Sequence, residues 1–488
     1  MNGASQTNFA GRLVSRLGPR SCLIDAATGE TVSAQDLPGL IAGFAAGFLT
    51  GGLGPGDHVL IGCSLSPAST LAYLGAMYAG LVAVPLEERV LSLFGEQVCT
   101  TTRARAVWTE KTDPGEWVAR IRAPHFTGCF EPRSPGSHLP CPRGADDLAA
   151  LMPTSGSTGS PRLVMVTHRN LAANTEAISR SQNLGSDERA MLAMPVSYCF
   201  GASVLHTHLD QGGSAVFDSR FMFPDKVLRA ITDYGCTTFA GVPTVYNILL
   251  KRSNLRSIPL PSLRRFLQAG GPLDTGSVQE MCEIVPTAQF YVMYGATEAT
   301  ARISCLPPAR LKEKLGSAGV PLDNLVVRVV DDEGREIPVG ETGELWVRGP
   351  SICSGYFNDP EETCQKFRDG WLMTGDIGRV DADGFLWITG RKGAFMKIRG
   401  VRVSFGEVEA RVTQVPGVYE CAATSIPHPE AGEAIALFIV PQSGASDVPE
   451  RVKTALPPHW TCTEINLVGE IPKTTNGKIA RNLLRTTR

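Results

Sequence analysis

Hydrophobic and polar positions alternate between strand-like and helix-like patterns in the first part of the chain. The almost continuous apolar run His58 to Cys63 follows a Gly-Pro-Gly-Asp turn and predicts a buried strand. A helix is predicted to begin at Ser66, because Leu71 and Tyr78 fall on one face at helical spacing. Val82 to Leu86 predicts the next strand. Strand, helix and strand in quick succession indicate a parallel sheet with crossover connections.

The same alternation returns from Arg189 onward. Helical spacing predicts a helix over Pro224 to Tyr234. Short apolar runs predict strands at Met191 to Pro195, Ser214 to Phe217 and Thr237 to Val242. The segments Phe266 to Leu273 and Gln289 to Glu298 each predict a strand that runs into a glycine-containing turn. The first of these strands is expected to end in the segment Pro195 to Gly201. Ligands of open α/β sheets bind beyond the carboxyl ends of the strands, so the turns after these strands are the expected binding region.

The pattern changes after Ser317, where short strands split by Gly and Asp turns indicate a β-rich subdomain. The last part of the chain combines a hairpin, a helix from Phe405 to Gln414 and further strands. The prediction is an α/β protein: a large N-terminal domain of two α/β subdomains plus a β-rich subdomain, followed by a small α+β C-terminal domain. We place the N-terminal domain at 1–390, a hinge at 391–394 and the C-terminal domain at 395–488.

Composition excludes several classes of protein. Hydrophobic residues make up 43% and charged residues 19% of the 488 residues, which is typical of a globular protein. The formal net charge of −2 gives no global attraction to nucleic acid or to a membrane surface. No apolar stretch of about 18 residues is present, and the N-terminus lacks a signal-peptide core, so we expect no membrane insertion. The thirteen cysteines contain no CxxC pair, which favours a reducing, cytoplasmic setting.

One short loop is dense in hydroxyl groups and glycines. Its six positions are Thr154, Ser155, Gly156, Ser157, Thr158 and Gly159. Glycines let backbone N–H groups approach an anion closely and the hydroxyls add donors, so the loop suits a polyphosphate. A Walker-type loop would continue with Lys-Ser or Lys-Thr, where this chain has Ser160-Pro161-Arg162. A flexible linker is the alternative, but a β-branched run and a helix start at Thr167 follow at once.

This loop resembles the phosphate-binding motif of the adenylate-forming enzymes, which include acyl- and aryl-CoA ligases, peptide-synthetase adenylation domains and luciferases. Four further segments resemble motifs of that family in the same order along the chain. They are Tyr294 to Glu298 (YGATE), Thr374 to Asp376 (TGD), Gly390 to Lys392 (GRK) and Pro472 to Lys478 (PKTTNGK). The resemblance implies an acid-activating enzyme whose small C-terminal domain is mobile and rotates between two half-reactions.

The resemblance assigns roles to individual residues. Lys478 would be the catalytic lysine that bridges the carboxylate and the α-phosphate, while Thr297 would bind a phosphate and Glu298 would hold Mg²⁺. Asp376 would bind the ribose hydroxyls and Arg391 the ribose or a phosphate. Further ATP-binding residues are Thr154, Ser155, Gly156, Ser157, Thr158, Gly159, Arg162, Gly270, Gly271, Pro272, Tyr294 and Gly295.

Each of these residues has a plainer interpretation when it is taken alone. Tyr294 would be a core aromatic residue, Glu298 an acid at a helix N-terminus and Lys478 a solvated lysine of a basic tail. The complete set in family order favours the functional roles. Two glycines of the C-terminal part complete the assignment: Gly393 stands at the expected hinge position, usually Asp or Lys in the family, and Gly400 would line the thiol channel.

The acyl pocket is assigned to Tyr198, Phe200, Gly201, Gly241, Val242, Ala269 and Met293. Relatives commonly have histidine where Tyr198 stands. No acid lies near Gly201 to pair with an α-ammonium group, and burying an unpaired ammonium is costly, so a substrate without an α-amino group is favoured. Met293 replaces a residue that is usually small, which favours a compact or aromatic acid.

The reaction implied is activation of a carboxylic acid as acyl-AMP with ATP and Mg²⁺, followed by thioester formation with coenzyme A. No carrier-protein domain follows Arg488, so we expect a free-standing enzyme. Two alternatives remain: loading of a separate carrier protein, which presents the same phosphopantetheine thiol, and a non-catalytic nucleotide-binding relative. Homodimers are common among enzymes of this size, but the sequence shows no interface.

Overall fold

A computed structural model of the chain describes residues 8–110, 117–118, 123–133, 139–154, 161–392, 395–398, 401–445, 447–473 and 479–484. The chain forms two compact units: Met1–Val327 with Val347–Met373, called unit 1, and Arg328–Trp346 with Thr374–Arg488, called unit 2. Gly393, in the expected hinge at 391–394, lies outside the described residues. The hinge and the domain boundaries at 390 and 395 therefore stay predictions.

The described helices are numbered in chain order. They are α1 (Phe9–Arg16), α2 (Leu37–Thr50), α3 (Pro67–Tyr78), α4 (Glu88–Thr102), α5 (His168–Gln182), α6 (Cys199–Asp210), α7 (Pro224–Asp233), α8 (Pro243–Arg252), α9 (Thr275–Ile284), α10 (Pro360–Lys366), α11 (Phe405–Thr413) and α12 (Val448–Ala455). Among them, none combines the length and the apolar character that crossing a bilayer requires.

The described strands follow the same convention. They are β1 (Leu23–Asp25), β2 (Thr31–Val32), β3 (His58–Cys63), β4 (Val82–Glu87), β5 (Ala106–Thr109), β6 (His125–Thr127), β7 (Leu148–Thr154), β8 (Arg162–Thr167), β9 (Arg189–Leu192), β10 (Ser214–Phe217), β11 (Thr238–Gly241), β12 (Arg265–Gln268), β13 (Gln289–Tyr294), β14 (Ser304–Leu306), β15 (Val320–Pro321), β16 (Val326–Val330), β17 (Gly343–Arg348), β18 (Phe367–Arg368), β19 (Trp371–Val380), β20 (Leu386–Arg391), β21 (Phe395–Ile398), β22 (Val401–Ser404), β23 (Val418–His428), β24 (Gly432–Pro441) and β25 (Cys462–Leu467).

Unit 1 is built on two sheets. The six-stranded sheet has the order β6-β5-β3-β4-β7-β8, and its neighbours are parallel except for the antiparallel pair β7 and β8. The nine-stranded sheet has the order β15-β14-β13-β12-β11-β9-β10-β1-β2 and is parallel from β13 to β1. Two parallel sheets with helical crossovers confirm the predicted pair of α/β subdomains.

The predicted helix at Ser66 shows how local sequence and packing agree. Ser66 caps α3, since its side chain accepts a hydrogen bond from the backbone N–H of Ser69, and Pro67 occupies the first turn. Helices α2 and α3 pack closely, because a Cβ on Gly75 would lie 2.4 Å from the Cβ of Phe44. Phe44 and Tyr73 are both fully buried in the core of unit 1.

One predicted segment was wrong in its local structure. Strand β9 ends at Leu192 rather than Pro195, and the residues from Cys199 onward form helix α6 instead of the end of a strand. Every residue of α6 from Phe200 to Asp210 is buried. A helix that is buried all round has no polar face, so its sequence carries no amphipathic period to reveal it.

Unit 2 contains strands on two sheets. Strands β16, β17 and β19 lie side by side in that order, and β20 pairs antiparallel with β19. The second sheet has the order β22-β21-β24-β23, with β25 parallel to β24. Its core includes Val408 of α11, Leu437 of β24 and Val452 of α12, all fully buried. This confirms the predicted β-rich segment and the predicted α+β fold near the C-terminus.

Candidate active site

The turn after β13 has a tightly constrained backbone. β13 ends at Tyr294, and Thr297–Ala299 forms a short 3-10 helix. A Cβ at Gly295 would lie 1.7 Å from the backbone oxygen of Ala301, so no other residue fits without moving the chain. Thr300, just beyond, has a φ of +67°, an uncommon value for a residue other than glycine. Thr297 and Glu298 are thus carried on a fixed turn at the carboxyl end of a parallel strand.

Glu298 anchors an ionic cluster in unit 1. The Tyr356 hydroxyl donates to Glu298 Oε1 at 2.6 Å. The Arg162 guanidinium pairs with Glu362 at 3.0 Å and with Asp359 at 3.6 Å, and its Cζ lies 5.9 Å from the centre of the Tyr356 ring. Burial, with the nearby Glu298 carboxylate, raises the pKa of Tyr356, so its hydroxyl stays a donor. We call these five residues the Glu298 cluster.

The Glu298 cluster has a deficit of positive charge. It contains three carboxylates and one guanidinium, and Arg162 already pairs with two of the three. Among the described residues, no group of three or more side chains is arranged to hold a metal ion by itself. That donor set fits Mg²⁺ bound to a nucleotide, because this ion is usually held by one or two carboxylates together with phosphate oxygens.

The strands that flank the hydroxyl-rich loop are described, whereas most of the loop is not. β7 and β8 are antiparallel, and Thr154 at the end of β7 is paired with Arg162 at the start of β8. The expected phosphate-binding residues Ser155, Gly156, Ser157, Thr158 and Gly159 lie outside the described residues. Helix α5 follows β8, and a reciprocal pair of hydrogen bonds between Thr167 and Asn170 caps it, as the sequence predicted for Thr167.

Three expected pocket residues lie at or just before the start of helix α6, close to Thr297. Tyr198 precedes the helix and donates to Glu87 Oε2 at 2.9 Å; burial and that carboxylate raise the pKa of Tyr198. Thr297 Oγ1 lies 3.4 Å from Cys199 Sγ. Gly201 has no room for a side chain, because a Cβ would lie 2.5 Å from the Pro195 oxygen. Tyr198 therefore precedes, and Phe200 and Gly201 lie in, the first turn of the helix whose residue Cys199 contacts Thr297.

The ends of β11 and β12 bring together the next group of expected residues. β11 ends at Gly241 and is followed by Val242, and Ala269 follows β12, its parallel neighbour. A Cβ at Gly241 would lie 2.7 Å from Val245 Cγ1. Gly270 has a φ of +90° and packs near Val242. The expected ATP-binding residues Gly270, Gly271 and Pro272 form an exposed turn at the carboxyl edge of the sheet.

A buried arginine that sequence reasoning missed lies beside Phe200 and Met293. Arg302 is only 2% exposed; its Cζ is 5.2 Å from the centre of the Phe200 ring, and its Nη1 contacts Met293 Sδ. Burial lowers the pKa of Arg302 to about 10, which still leaves it charged at neutral pH. We call Phe200, Met293 and Arg302 the Arg302 cluster. The available signal was an arginine in the otherwise small and apolar run before β14.

Unit 2 brings together the two residues expected at the ribose. Arg391 Nε donates to Asp376 Oδ1 at 2.8 Å across the antiparallel strands β19 and β20. The Thr374 hydroxyl donates to the Leu345 oxygen at 2.7 Å and accepts from the Asp376 N–H at 3.0 Å. Lys392 Nζ pairs with Glu344 Oε2 at 3.0 Å. The TGD segment is thus held by its own threonine and by ionic neighbours.

In the sequence, the expected catalytic lysine falls between two described residues that form ion pairs, Lys473 and Arg481. Lys473 forms an isolated antiparallel bridge with Ile479, and its ammonium pairs with Glu420 at 2.8 Å. Arg481 pairs with the half-buried Glu409 and donates to the Ala423 oxygen at 3.1 Å. Burial raises the pKa of Glu409, and the Arg481 charge opposes that shift. Lys478 and the expected thiol-channel residue Gly400 lie outside the described residues.

Two family models match the chain. The model of the AMP-binding enzyme covers residues 13–357, and the model of the AMP-binding enzyme C-terminal domain covers residues 407–478. Together the two matches include three of the five motif segments found in the sequence. The other two, Thr374 to Asp376 and Gly390 to Lys392, fall in the interval between the matches.

Individual relatives span nearly the whole chain. A feruloyl-CoA synthase of an Amycolatopsis species is 32% identical over 471 residues, which cover 94% of this chain and 94% of the relative. A 4-coumarate–CoA ligase-like protein of Oryza sativa subsp. japonica is 29% identical and covers 95% of this chain and 85% of its own. The ATP-bound structure of MatB from Rhodopseudomonas palustris has a TM-score of 0.87 at 28% identity, covering 98% of both chains.

Proposed function

We propose a reaction scheme and residue roles on the premise that this chain belongs to the AMP-binding enzyme family. The chain is an AMP-forming acid–thiol ligase of the acyl-CoA synthetase type. It activates a carboxylic acid with ATP as an acyl-AMP, releases pyrophosphate and passes the acyl group to coenzyme A.

The chemistry divides into two displacements. In the first, a carboxylate oxygen attacks the α-phosphorus of ATP, and the bond from that phosphorus to the pyrophosphate oxygen breaks. In the second, the thiol sulfur attacks the acyl carbon, AMP leaves with the bridging oxygen, and the thiol proton passes to solvent. Two steps replace a poor leaving group, hydroxide, with a good one, AMP.

The turn at Thr297 and Glu298 is the main support for the roles that we propose within unit 1. The turn sets the Thr297 hydroxyl against Cys199 of α6 and the Glu298 carboxylate against Tyr356. The expected acyl pocket and the Glu298 cluster therefore adjoin a single constrained segment. Such a segment suits a reaction in which a carboxylate and a phosphate must approach each other in a fixed geometry.

Thr297 would bind a phosphate oxygen, and Glu298 with the phosphates would hold Mg²⁺, which neutralises triphosphate charge when it is bound. Asp376 of unit 2 would bind the ribose hydroxyls, and Arg391 of the same unit would bind the ribose or a phosphate. Lys478 would bridge the carboxylate and the α-phosphate as charge develops between them. These assignments rest on the motif resemblance and on the contacts given above.

The acid is proposed to lack an α-amino group, because the described pocket residues offer no carboxylate near Gly201 to pair with an ammonium. The acceptor is proposed to be coenzyme A itself rather than a carrier-protein phosphopantetheine, in line with the relatives named for coenzyme A thioesters. The reaction is proposed to take place in the cytoplasm, where widely spaced cysteines remain reduced. A homodimer is compatible with these roles but not required by them.

The test is ATP–pyrophosphate exchange across aromatic, short-chain, branched and amino acids, which reports the first displacement alone. We expect exchange that depends on one class of acid lacking an α-amino group and on added Mg²⁺. Coenzyme A should then convert the bound intermediate to a thioester with release of AMP, whereas a phosphopantetheinyl carrier protein should not. Exchange with amino acids only, or transfer to the carrier only, would contradict the proposal.

A further inference from the structure

We propose that Arg302 binds a second carboxylate of the acid substrate, so that the enzyme activates a dicarboxylic acid. The inference rests on the proposed function, because it places a substrate group in the acyl pocket of that same reaction. It goes further by naming the substrate class and a specificity residue outside the motifs.

The backbone of Arg302 is fixed on both sides. Its N–H donates to Asn174 Oδ1 at 3.2 Å, and its oxygen accepts from Asn174 Nδ2 at 2.9 Å. Asn174 is itself buried in helix α5, so the side chain of Arg302 starts from a rigid position. A side chain that projects from a fixed backbone into packed surroundings is preorganised for a ligand.

The surroundings of the guanidinium do not compensate its charge. Its Cζ lies 5.2 Å from the centre of the Phe200 ring, a cation–π contact, and Nη1 contacts the Met293 sulfur. Nε is buried and has no hydrogen-bond partner among the described residues. Among the described residues, the ionisable groups close enough to favour the charged guanidinium are the thiols of Cys305 and Cys199. No described carboxylate is among them.

Two other arginines of unit 1, one buried and one largely buried, have counter-ions. Arg265, which is 8% exposed, pairs with the buried Glu188. Arg12 pairs with the buried Asp210 at 2.8 Å. Because an unpaired buried charge is costly, proteins normally supply a counter-ion, as this chain does at both of these sites. At Arg302 the counter-ion is missing, which points to an anion that arrives with a ligand.

The position of Arg302 identifies that ligand. Phe200 and Met293 are expected acyl-pocket residues, and Cys199, next to Phe200, lies 3.4 Å from the Thr297 hydroxyl. The reacting carboxylate must meet the α-phosphate near Thr297, so a separate carboxylate of the same acid would face Arg302. A guanidinium offers parallel N–H donors that match a carboxylate, and Nε of Arg302 has no hydrogen-bond partner among the described residues.

The test compares matched acids in wild type and in Arg302→Met, Arg302→Lys and Arg256→Met. The acid pairs are succinate with butyrate, terephthalate with p-toluate and phthalate with o-toluate. Arg256 is the matched control, since its side chain is 66% exposed. Exchange kinetics should favour one dicarboxylic acid over its partner by about 100-fold in kcat/KM in wild type, because a site built for a polar group rejects the analogue that lacks it.

Arg302→Met should abolish this preference and leave the monocarboxylic acid unaffected or improved, while Arg302→Lys keeps part of it. Without substrate, Arg302→Met should unfold at the same temperature as wild type or higher, because it removes an uncompensated buried charge. A marked fall in that temperature would assign Arg302 a structural role. An equal loss of activity for both acids of every pair would mean that Arg302 binds the reacting carboxylate. Either result overturns the inference.

Thermal unfolding with each acid separates this inference from the proposed function. Exchange with monocarboxylic acids, combined with no exchange and no thermal shift from any dicarboxylic acid, rejects the inference and keeps the function. No exchange at all, combined with stabilisation of wild type but not Arg302→Met by a dicarboxylic acid, rejects the function and keeps the binding site. Silence in both measurements rejects both.

Discussion

The Glu298 cluster and the Arg302 cluster both adjoin one short turn after β13 and have opposite charge imbalances. The first holds three carboxylates for one guanidinium, and the second holds a buried guanidinium with no described carboxylate. The first suits a cation and the second suits an anion. The charge that a site leaves uncompensated therefore indicates the charge of its ligand, both where sequence motifs reveal the site, as at Glu298, and where they do not, as at Arg302.

The largest expected effect comes from Lys478→Ala. Removing the ammonium that bridges carboxylate and α-phosphate should slow adenylation about 10²- to 10³-fold, as loss of a transition-state donor does. The loss should be equal for every acid, in contrast to the selective loss expected at Arg302. Exchange kinetics measure it, and Lys453→Ala, an exposed lysine of the same unit, is the control.

Attack on supplied acyl-AMP by coenzyme A should be much less affected in Lys478→Ala, because the phosphate chemistry is already complete. Wild-type exchange rates in the variant would remove Lys478 from the mechanism.

A smaller effect is expected for Glu298→Gln, which keeps an acceptor for Tyr356 but removes the charge. Adenylation should fall about 10²-fold, because the metal-assisted step loses a ligand worth several kcal/mol. The Mg²⁺ concentration for half-maximal exchange should rise. Tyr356→Phe is the matched comparison: it deletes the hydroxyl that donates to Glu298 and leaves the carboxylate in place.

Tyr356→Phe should leave the Mg²⁺ dependence close to that of wild type. If the two variants shift it equally, the Glu298 cluster acts through its hydrogen bond rather than its charge.

Gly295→Ala should disturb both clusters at once, since it lies between Met293 and Thr297. The added Cβ would meet the Ala301 backbone oxygen at 1.7 Å, and the strain should lower the free energy of unfolding by about 3 kcal/mol. Gly271→Ala is the matched control, because its Cβ would meet Pro243 at an ordinary 3.5 Å. Urea unfolding of both variants checks this, and equal stability would show that the turn readily adjusts.

The smallest expected effect concerns helix α6, which carries Phe200 of the Arg302 cluster. Burial lowers the pKa of His206 on α6 to about 3 from an ordinary 6.5. Below pH 6.5 the unfolded chain takes up a proton that the folded chain does not. The free energy of unfolding therefore decreases as the pH is lowered, by up to about 1.4 kcal/mol per pH unit. His168 and His208, with pKa values lowered to about 4, act in the same direction.

His206→Gln should remove one histidine's share of this dependence between pH 6.5 and 4, as measured by urea unfolding at several pH values. His459→Gln, at an exposed position, should leave the dependence unchanged. An unaltered slope in His206→Gln would mean that this imidazole is solvated in the folded protein.

Sequence predicted the parts of the molecule that repeat a local rule. Strand β3, helix α3 and the Thr167 cap follow from periodicity and capping chemistry, and the prediction for each was confirmed. Helix α6 escaped because it is buried on every side and shows no polar face. Motif resemblance led to Thr297 and Glu298, but the roles of the site residues stay predictions.

Arg302 escaped for a different reason. Its importance depends on the absence of a carboxylate around it, and that is decided by the nearby strand β13 together with α5 and α6, which are distant in sequence. The small and apolar run around Arg302 makes it unusual in the sequence, but it does not show whether the charge is paired, as that of Arg265 is. Only tertiary structure shows which of the two charges is compensated.

The measurement that tests the central claim most directly follows oxygen from the acid into the products. The acid, labelled with oxygen-18 in its carboxylate, is incubated with enzyme, ATP, Mg²⁺ and coenzyme A, and the products are analysed by mass spectrometry. Attack of the carboxylate on the α-phosphorus predicts one labelled oxygen in AMP and none in pyrophosphate. Unlabelled AMP, or label in a product of the β- or γ-phosphate, would contradict the account.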